Sequence, residues 1–493
     1  EDGIRDHCVT GVQTCALPIS TGLRPALQPT GAGWICATLL RYPRPVLTFL
    51  AIACTSRPKP AETGGDDTAP EADSNATGDS PNDSRGDSSG DSDSVSGTDS
   101  DSASSARPNP VGWTSVGGGP SSPFAAALEG DAATLAVAWT GGDPANATLE
   151  FAPTIADDVA YVGGDAGITA LSLAEGTVLA TLSVGHRIEG PPAIGANGLV
   201  AGGLYLDETG QPGALHVARW DGALTEAWSV EGAFPYFGRA VTDGDTAWTA
   251  DNSGAVNAWD LAADTAIAWW SAMAADSAYS SLAVDDARVY VGTRYGGLYA
   301  LDRETGAQEW VFTLPEGTTS YASPTIDGDA VWYGRNCGLE REIGTCGAVW
   351  RIDTATGAGL CELLVDGGDV RSPVAIGTDG GYFAEAETGT LYAVDRDCAV
   401  RWTVANPDVL PSGDSAPVVV TDALGERILA LQTRSDALTL VVVDAATGAT
   451  LAEVSTGQHY TADASGKNLP SLSVSGPWVL TNVAGSTVAF RTE

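Results

Sequence analysis

Cysteine and histidine are scarce in this 493-residue chain, at 8 and 4 copies. Beyond residue 111 the cysteines are Cys337, Cys346, Cys361 and Cys398, and the histidines are His186, His216 and His459. Four thiols can pair in three ways, and in an exported protein disulfides are the expected outcome. Zinc is the rival reading, but the cysteine spacing is wrong for it, so no metal is expected. Carboxylates abound, yet most sit in turns where backbone bonding accounts for them, and no pair stands out as acid and base. Gly117-Gly118-Gly119 does not open a helix, which leaves a phosphate loop unsupported. No catalytic set is expected. Another group recurs instead of clustering: Glu189, Tyr236, Tyr279, Tyr321, Arg371, Asp414 and Asn468, each just ahead of a Pro or small residue.

Recurrence points to a repeated element that places these residues. One module does repeat: a β-branched run, an Asp/Gly turn, a second run ending near Gly, a third run, an Asp-x-x-Thr-Gly turn and a fourth run. Its clearest copy runs from Leu282 through Gly292, Gly297–Asp302 and Thr305-Gly306 to Trp310. Others start near Ala152, Pro192, Arg239, Ser323, Ser372, Ala416 and Leu469, a period of roughly 40–53 residues that suits four antiparallel strands. Asp243-Gly244, Asp327-Gly328 and Asp157-Asp158 fall where a tight hairpin needs φ > 0. The last copy supplies only three runs, Ser471–Val474, Trp478–Thr481 and Thr487–Phe490. The missing fourth appears at the other end, at Leu135–Trp139. The sequence therefore predicts an all-β, eight-bladed β-propeller of four-stranded antiparallel blades over residues 111–493, its last blade closed by an N-terminal strand.

In that frame the recurring residues open the innermost strands and gather at the channel mouth. The enlarged loops Leu206–Gly213 and Asn336–Gly347 and the link Gln458–Asn468, with Lys467, share that face. Cys337 and Cys346 flank the fifth-blade loop and are expected to pair, leaving Cys361 with Cys398 on consecutive blades.

The unit Ala300-Leu-Asp302-Arg-Glu-Thr305-Gly306-Ala-Gln-Glu-Trp310 resembles the tryptophan-docking motif of pyrroloquinoline-quinone-type (PQQ-like) propeller repeats. Weaker copies are Asp353…Thr356-Gly357…Cys361, Asp444…Thr447-Gly448, Asp260…Trp269 and Asp395…Trp402. The resemblance covers nearly all of residues 135–493. Quinoprotein dehydrogenases of that family carry a quinone, calcium, an active-site Asp and usually an adjacent Cys-Cys pair. Many add a Cys-x-x-Cys-His haem site. This chain has neither cysteine motif, so no cofactor is expected. The resemblance favours the BamB-like, non-catalytic branch, and so implies a non-enzymatic scaffold for protein or peptide partners at the bacterial cell envelope. The alternative is a degenerate quinoprotein or a polysaccharide-active propeller enzyme. A surface adhesin is a third reading.

The region before the repeats bears on location. Residues 1–20 include a stretch, EDGIRDHCVTGVQTCALPI, that resembles translated sequencing-adapter DNA and is set aside from fold reasoning. In residues 21–54, Arg41 and Arg44 precede the apolar run Val46–Ala53 and then Cys54. This resembles a lipoprotein signal with Cys54 as the lipid attachment site, although Leu50 stands four residues before the cysteine, one further than the usual lipobox. A plain secretory signal is the alternative. Residues 55–110 form an acidic Asp/Ser-rich linker with too little apolar content to order itself. An outer-membrane or cell-surface lipoprotein with a monomeric propeller is the resulting expectation. The chain's 63 acids against 24 bases, net −39, exclude a nucleic-acid partner, which needs clustered Lys/Arg.

Overall fold

A computed structural model describes residues 112–493, except 147–150, 166, 189, 205–212, 232–238, 275, 279, 338–346, 366–367, 407–414, 436, 460–470 and 484. The readings placed on residues 1–110, Cys54 among them, lie outside the described residues.

Eight antiparallel sheets follow one another along the chain, each built of four ring-forming strands. Their innermost strands are Thr154–Ala156, Ala193–Gly195, Val241–Asp243, Ala283–Val284, Thr325–Asp327, Ala375–Gly377, Val418–Asp422 and Ser473–Ser475, which open blades 1 to 8 in that order. The protein is an eight-bladed propeller. Blade 4 shows the plan: Ala283–Val284, Arg288–Thr293, Gly297–Asp302 and Gln308–Phe312 pair in sequence order. The inner hairpins turn as their residues require, with Asp157, Gly244 and Gly328 at φ of 52°, 59° and 62°. Blade 8 takes its outer strand from the N-terminal side: Ala136–Gly141 pairs antiparallel with Ser486–Arg491. That pairing covers an edge that would otherwise stay open.

Adjacent blades are stapled by tryptophan. On their outer strands, Trp139, Trp228, Trp270, Trp310 and Trp402 donate their indole N–H to carbonyls of the next blade, at Leu173, Ala263, Arg303, Thr354 and Ala445, over 2.9–3.1 Å. The sequence motif had put blade 3's tryptophan at Trp269. In the structure Trp269 is 56% exposed and Trp270 docks. The register explains the difference: Trp270 lies opposite Ala258, as Trp310 lies opposite Ala300 and Trp402 opposite Ala393, and a bulge follows each. Blade 3 lacks the turn glycine that marks the register in sequence.

Blade 5 has Cys361 where its neighbours have tryptophan. Cys361 is joined to Cys398 of blade 6, with Cα atoms 5.8 Å apart. A covalent bond thus takes the place of an indole staple. Cys337 is also disulfide-bonded, and Cys346 lies outside the described residues.

Residues 112–134 have no role in the sequence reading, and the structure gives them one. Residues 113–127 run inside the ring against the channel-facing edges of the inner strands. The amides of Ile155, Ile194, Val284, Ile326, Ile376 and Val419 donate to the carbonyls of Trp113, Thr114, Pro120, Ser121, Pro123 and Phe124, over 2.7–3.1 Å. These acceptors serve blades 1, 2, 4, 5, 6 and 7 in chain order, so the segment winds once past the blades. Ala125–Ala127 then adds to blade 7 as a parallel strand beside Val418–Asp422. Trp113 and Phe124 are 3% and 2% exposed. Inner strands leave amides facing the channel, and this plug satisfies them. A segment bound through its backbone carries no side-chain periodicity, which is why its role is hidden in sequence.

Candidate functional site

The inner strands enter the channel from the face that carries the blade-to-blade links. Of the residues expected there, Tyr321 and Arg371 are described and meet. The guanidinium carbon of Arg371 lies 5.9 Å from the Tyr321 ring centroid, and that of Arg294 lies 5.5 Å from it. Arg294 also sits 4.8 Å from the Tyr295 ring. Arginine over an aromatic face is a favourable contact that orders both side chains. Glu189, Tyr236, Tyr279, Asp414 and Asn468 lie outside the described residues. So do most of the loops Leu206–Gly213 and Asn336–Gly347, and Lys467 with the link around it.

A buried carboxylate steadies Arg371. Asp369, 4% exposed, accepts from Arg371 at 2.9 Å and from the Cys337 amide at 2.7 Å. Cys337, just after the second strand of blade 5, is thereby tied to the start of blade 6. Arg335 lies nearby in sequence with its guanidinium 4.7 Å from the Trp350 ring and 3.7 Å from Glu362. Burial pulls Arg335 below its ordinary pKa, and Glu362 opposes that shift.

On another arc of the mouth Arg239 crosses between blades. Its guanidinium lies 3.5 Å from the centroid of Phe151, which precedes blade 1, and it reaches Ser281 Oγ of blade 4 at 3.5 Å. Gly190 leaves it room: a Cβ there would come within 2.9 Å of the Arg239 side chain. The Ser281 amide in turn donates to Ser323 Oγ at 3.0 Å. Sequence reasoning took Arg239 only as the start of a repeat and passed over Arg294 and Phe151. The available signal was position, since Arg239 holds the slot that Ser281 and Ser323 fill in blades 4 and 5.

The plug binds Ile326 and Ile376, each five positions after Tyr321 and Arg371, about 16 Å along an extended strand. What the mouth offers is therefore a rim of arginines and aromatic rings above a floor made by the chain itself. Such a surface suits a polypeptide or another polar group lying across it.

Comparison with known proteins places the ring. A family model described as "Outer membrane protein assembly factor BamB" matches residues 262–492, from the outer turn of blade 3 to the end of blade 8. A curated protein of that same description, from Moranella endobia (strain PCIT), is 30% identical over 132 residues, 26% of this chain and 33% of that protein. Over those residues the ring is similar to BamB and its PQQ-like repeats. The matched stretch spans a third of the curated relative's length. Among solved structures, BamB from Moraxella catarrhalis superposes with a TM-score of 0.53 at 17% identity, covering 72% of this chain and 97% of that one. A quinohemoprotein alcohol dehydrogenase from Comamonas testosteroni gives 0.59 at 14% identity, covering 77% and 80%. At such identities these structures show the fold alone. The propeller here differs from a bare ring by its threaded N-terminal plug.

Proposed function

We propose that this protein is a non-enzymatic scaffold of the bacterial cell envelope, tethered at the outer membrane through a lipid on Cys54, that binds protein or peptide partners across the channel mouth. The BamB-like repeat supports an assembly-factor type of role. The observation that carries the reading to the mouth is the contact of Arg294 and Arg371 with Tyr321 above a channel threaded by residues 113–127. A plugged channel leaves its rim as the working surface, and Arg and Tyr are the residue types that dominate protein-binding hot spots.

The test is capture of partners by mild cross-linking in intact envelopes, followed by co-purification. Tyr321→Ala combined with Arg371→Ala is expected to lower capture at least tenfold, because each truncation of a hot-spot residue costs about 2 kcal/mol or more. Unchanged capture would remove the mouth from the proposal. Labelling with a radioactive fatty acid tests the anchor separately, and loss of label in Cys54→Ala is the expected result.

A further inference from the structure

Two of the ring's histidines meet at the seam between blades 1 and 2. His186 lies on the link between the outer strand of blade 1, Val178–Ser183, and Arg187–Ile188 of blade 2; His216 lies in the third strand of blade 2, Ala214–Trp220. His216 Nε2 is 3.1 Å from His186 Nδ1, and the ring centroids are 5.0 Å apart at a tilt of 46°. The other nitrogen of His216, Nδ1, is 3.0 Å from the Glu226 carboxylate on the neighbouring outer strand. The Val184 carbonyl lies 3.2 Å from His186 Nδ1. His216 is 3% exposed and His186 is half-buried, so the pair opens to solvent on the His186 side.

The order of contacts decides the tautomer of His216. A carboxylate beside Nδ1 holds the proton there, so Nε2 presents its lone pair toward His186. Burial is the largest influence on His216 and lowers its pKa, with Glu226 opposing, so the ring favours its neutral form. A carboxylate behind a neutral imidazole is the arrangement that orients metal-ligating histidines. The spacing also fits. With zinc–nitrogen bonds of 2.0–2.1 Å, two imidazole nitrogens on one tetrahedral ion stand about 3.3–3.4 Å apart, a few tenths more than the separation here.

We propose that His186 and His216 bind a divalent, nitrogen-preferring transition-metal ion, zinc or copper(II), through His186 Nδ1 and His216 Nε2, with Glu226 orienting His216. Without metal, the His186 Nδ1 proton is shared between the Val184 carbonyl and His216 Nε2. When the ion binds, the single N–H proton of neutral His186 moves through solvent from Nδ1 to Nε2, which frees the Nδ1 lone pair for the metal. Among the described residues no group of three His, Cys, Asp or Glu side chains could hold a metal. The ring therefore supplies two ligands, and water or a donor from a bound partner fills the open positions. Because the link joins blade 1 to blade 2, the ion would clamp that seam.

Calorimetric titration of the full-length chain with zinc chloride at pH 7.5 tests this. One saturable site is expected, weakened at least tenfold by His186→Ala and about 10- to 100-fold by Glu226→Gln, which removes only the orienting charge. His459→Ala, far along the chain in blade 7, should leave it unchanged. His186→Ala is the deciding variant because it alters a half-exposed link and spares the buried strand. Copper(II)-loaded protein should show coupling to two imidazole nitrogens by electron paramagnetic resonance. Lowering the pH to 5.5 should weaken binding, because a metal-bound imidazole nitrogen must be unprotonated. No saturable site, or a site untouched by His186→Ala, overturns the proposal and assigns the uptake to surface carboxylates. Neither result bears on partner capture at the mouth.

Discussion

Gly357 sits at φ +70° in the turn that follows Asp353, and a Cβ on it would lie 2.7 Å from the Trp310 ring of the preceding blade. Glycine is needed there twice, for the left-handed backbone and for the close approach of the indole. Gly306 under Trp270 and Gly448 under Trp402 repeat the arrangement, with φ of 70° and 74°. Gly357→Ala should destabilise the ring by about 1–3 kcal/mol through overpacking and backbone strain. A lower urea midpoint at unchanged slope is the measurement. The first requirement is legible in the Thr-Gly pair itself. The second is not, because the indole arrives from another repeat.

The turns that carry these glycines also set a response to acid. Asp302, Asp353 and Asp444 accept from the hydroxyls and amides of Thr305, Thr356 and Thr447. Those bonds, the hydroxyl contact first, hold each carboxyl below the usual aspartate range. A lowered folded-state pKa contributes stability that is complete above the ordinary value of about 3.9 and is lost as pH falls through the lowered one. Replacing all three threonines with valine should therefore lower Tm at pH 6 and shrink the further drop between pH 4 and 2.5, as followed by calorimetry. At the same scale, the Cys361–Cys398 bond closes 37 residues of chain. Cys361→Ala with Cys398→Ala should cost about 4 kcal/mol by loop entropy, read from denaturation midpoints under non-reducing conditions.

At the scale of the whole ring, the N-terminal segment does two jobs: residues 113–127 line the channel along the inner strands, and Ala136–Gly141 completes blade 8. Deleting residues 1–127 removes the acceptors of the Ile155, Ile194, Val284, Ile326, Ile376 and Val419 amides while keeping the closing strand. Such a chain should still form the ring but melt at least several degrees lower, with faster amide exchange at those positions. Deleting residues 1–141 should in addition expose an edge of blade 8 and promote association, seen by light scattering. The sequence by itself determined the blade count, the four-strand plan, the closing strand and the Cys361–Cys398 proximity, because a repeat writes its turns and alternation in every copy. It also raised the expectation that residues opening the inner strands gather at one mouth; of these, Tyr321 and Arg371 lie in contact, with the guanidinium carbon 5.9 Å from the ring centroid. Only the tertiary structure decided that Trp270 and not Trp269 docks, that residues 113–127 thread the channel, that Arg239 reaches Phe151, and that His186 meets His216 beside Glu226. Each depends on register, on backbone bonding or on contacts between distant residues. These are set by how the blades close on one another, and no local pattern of residue types records them.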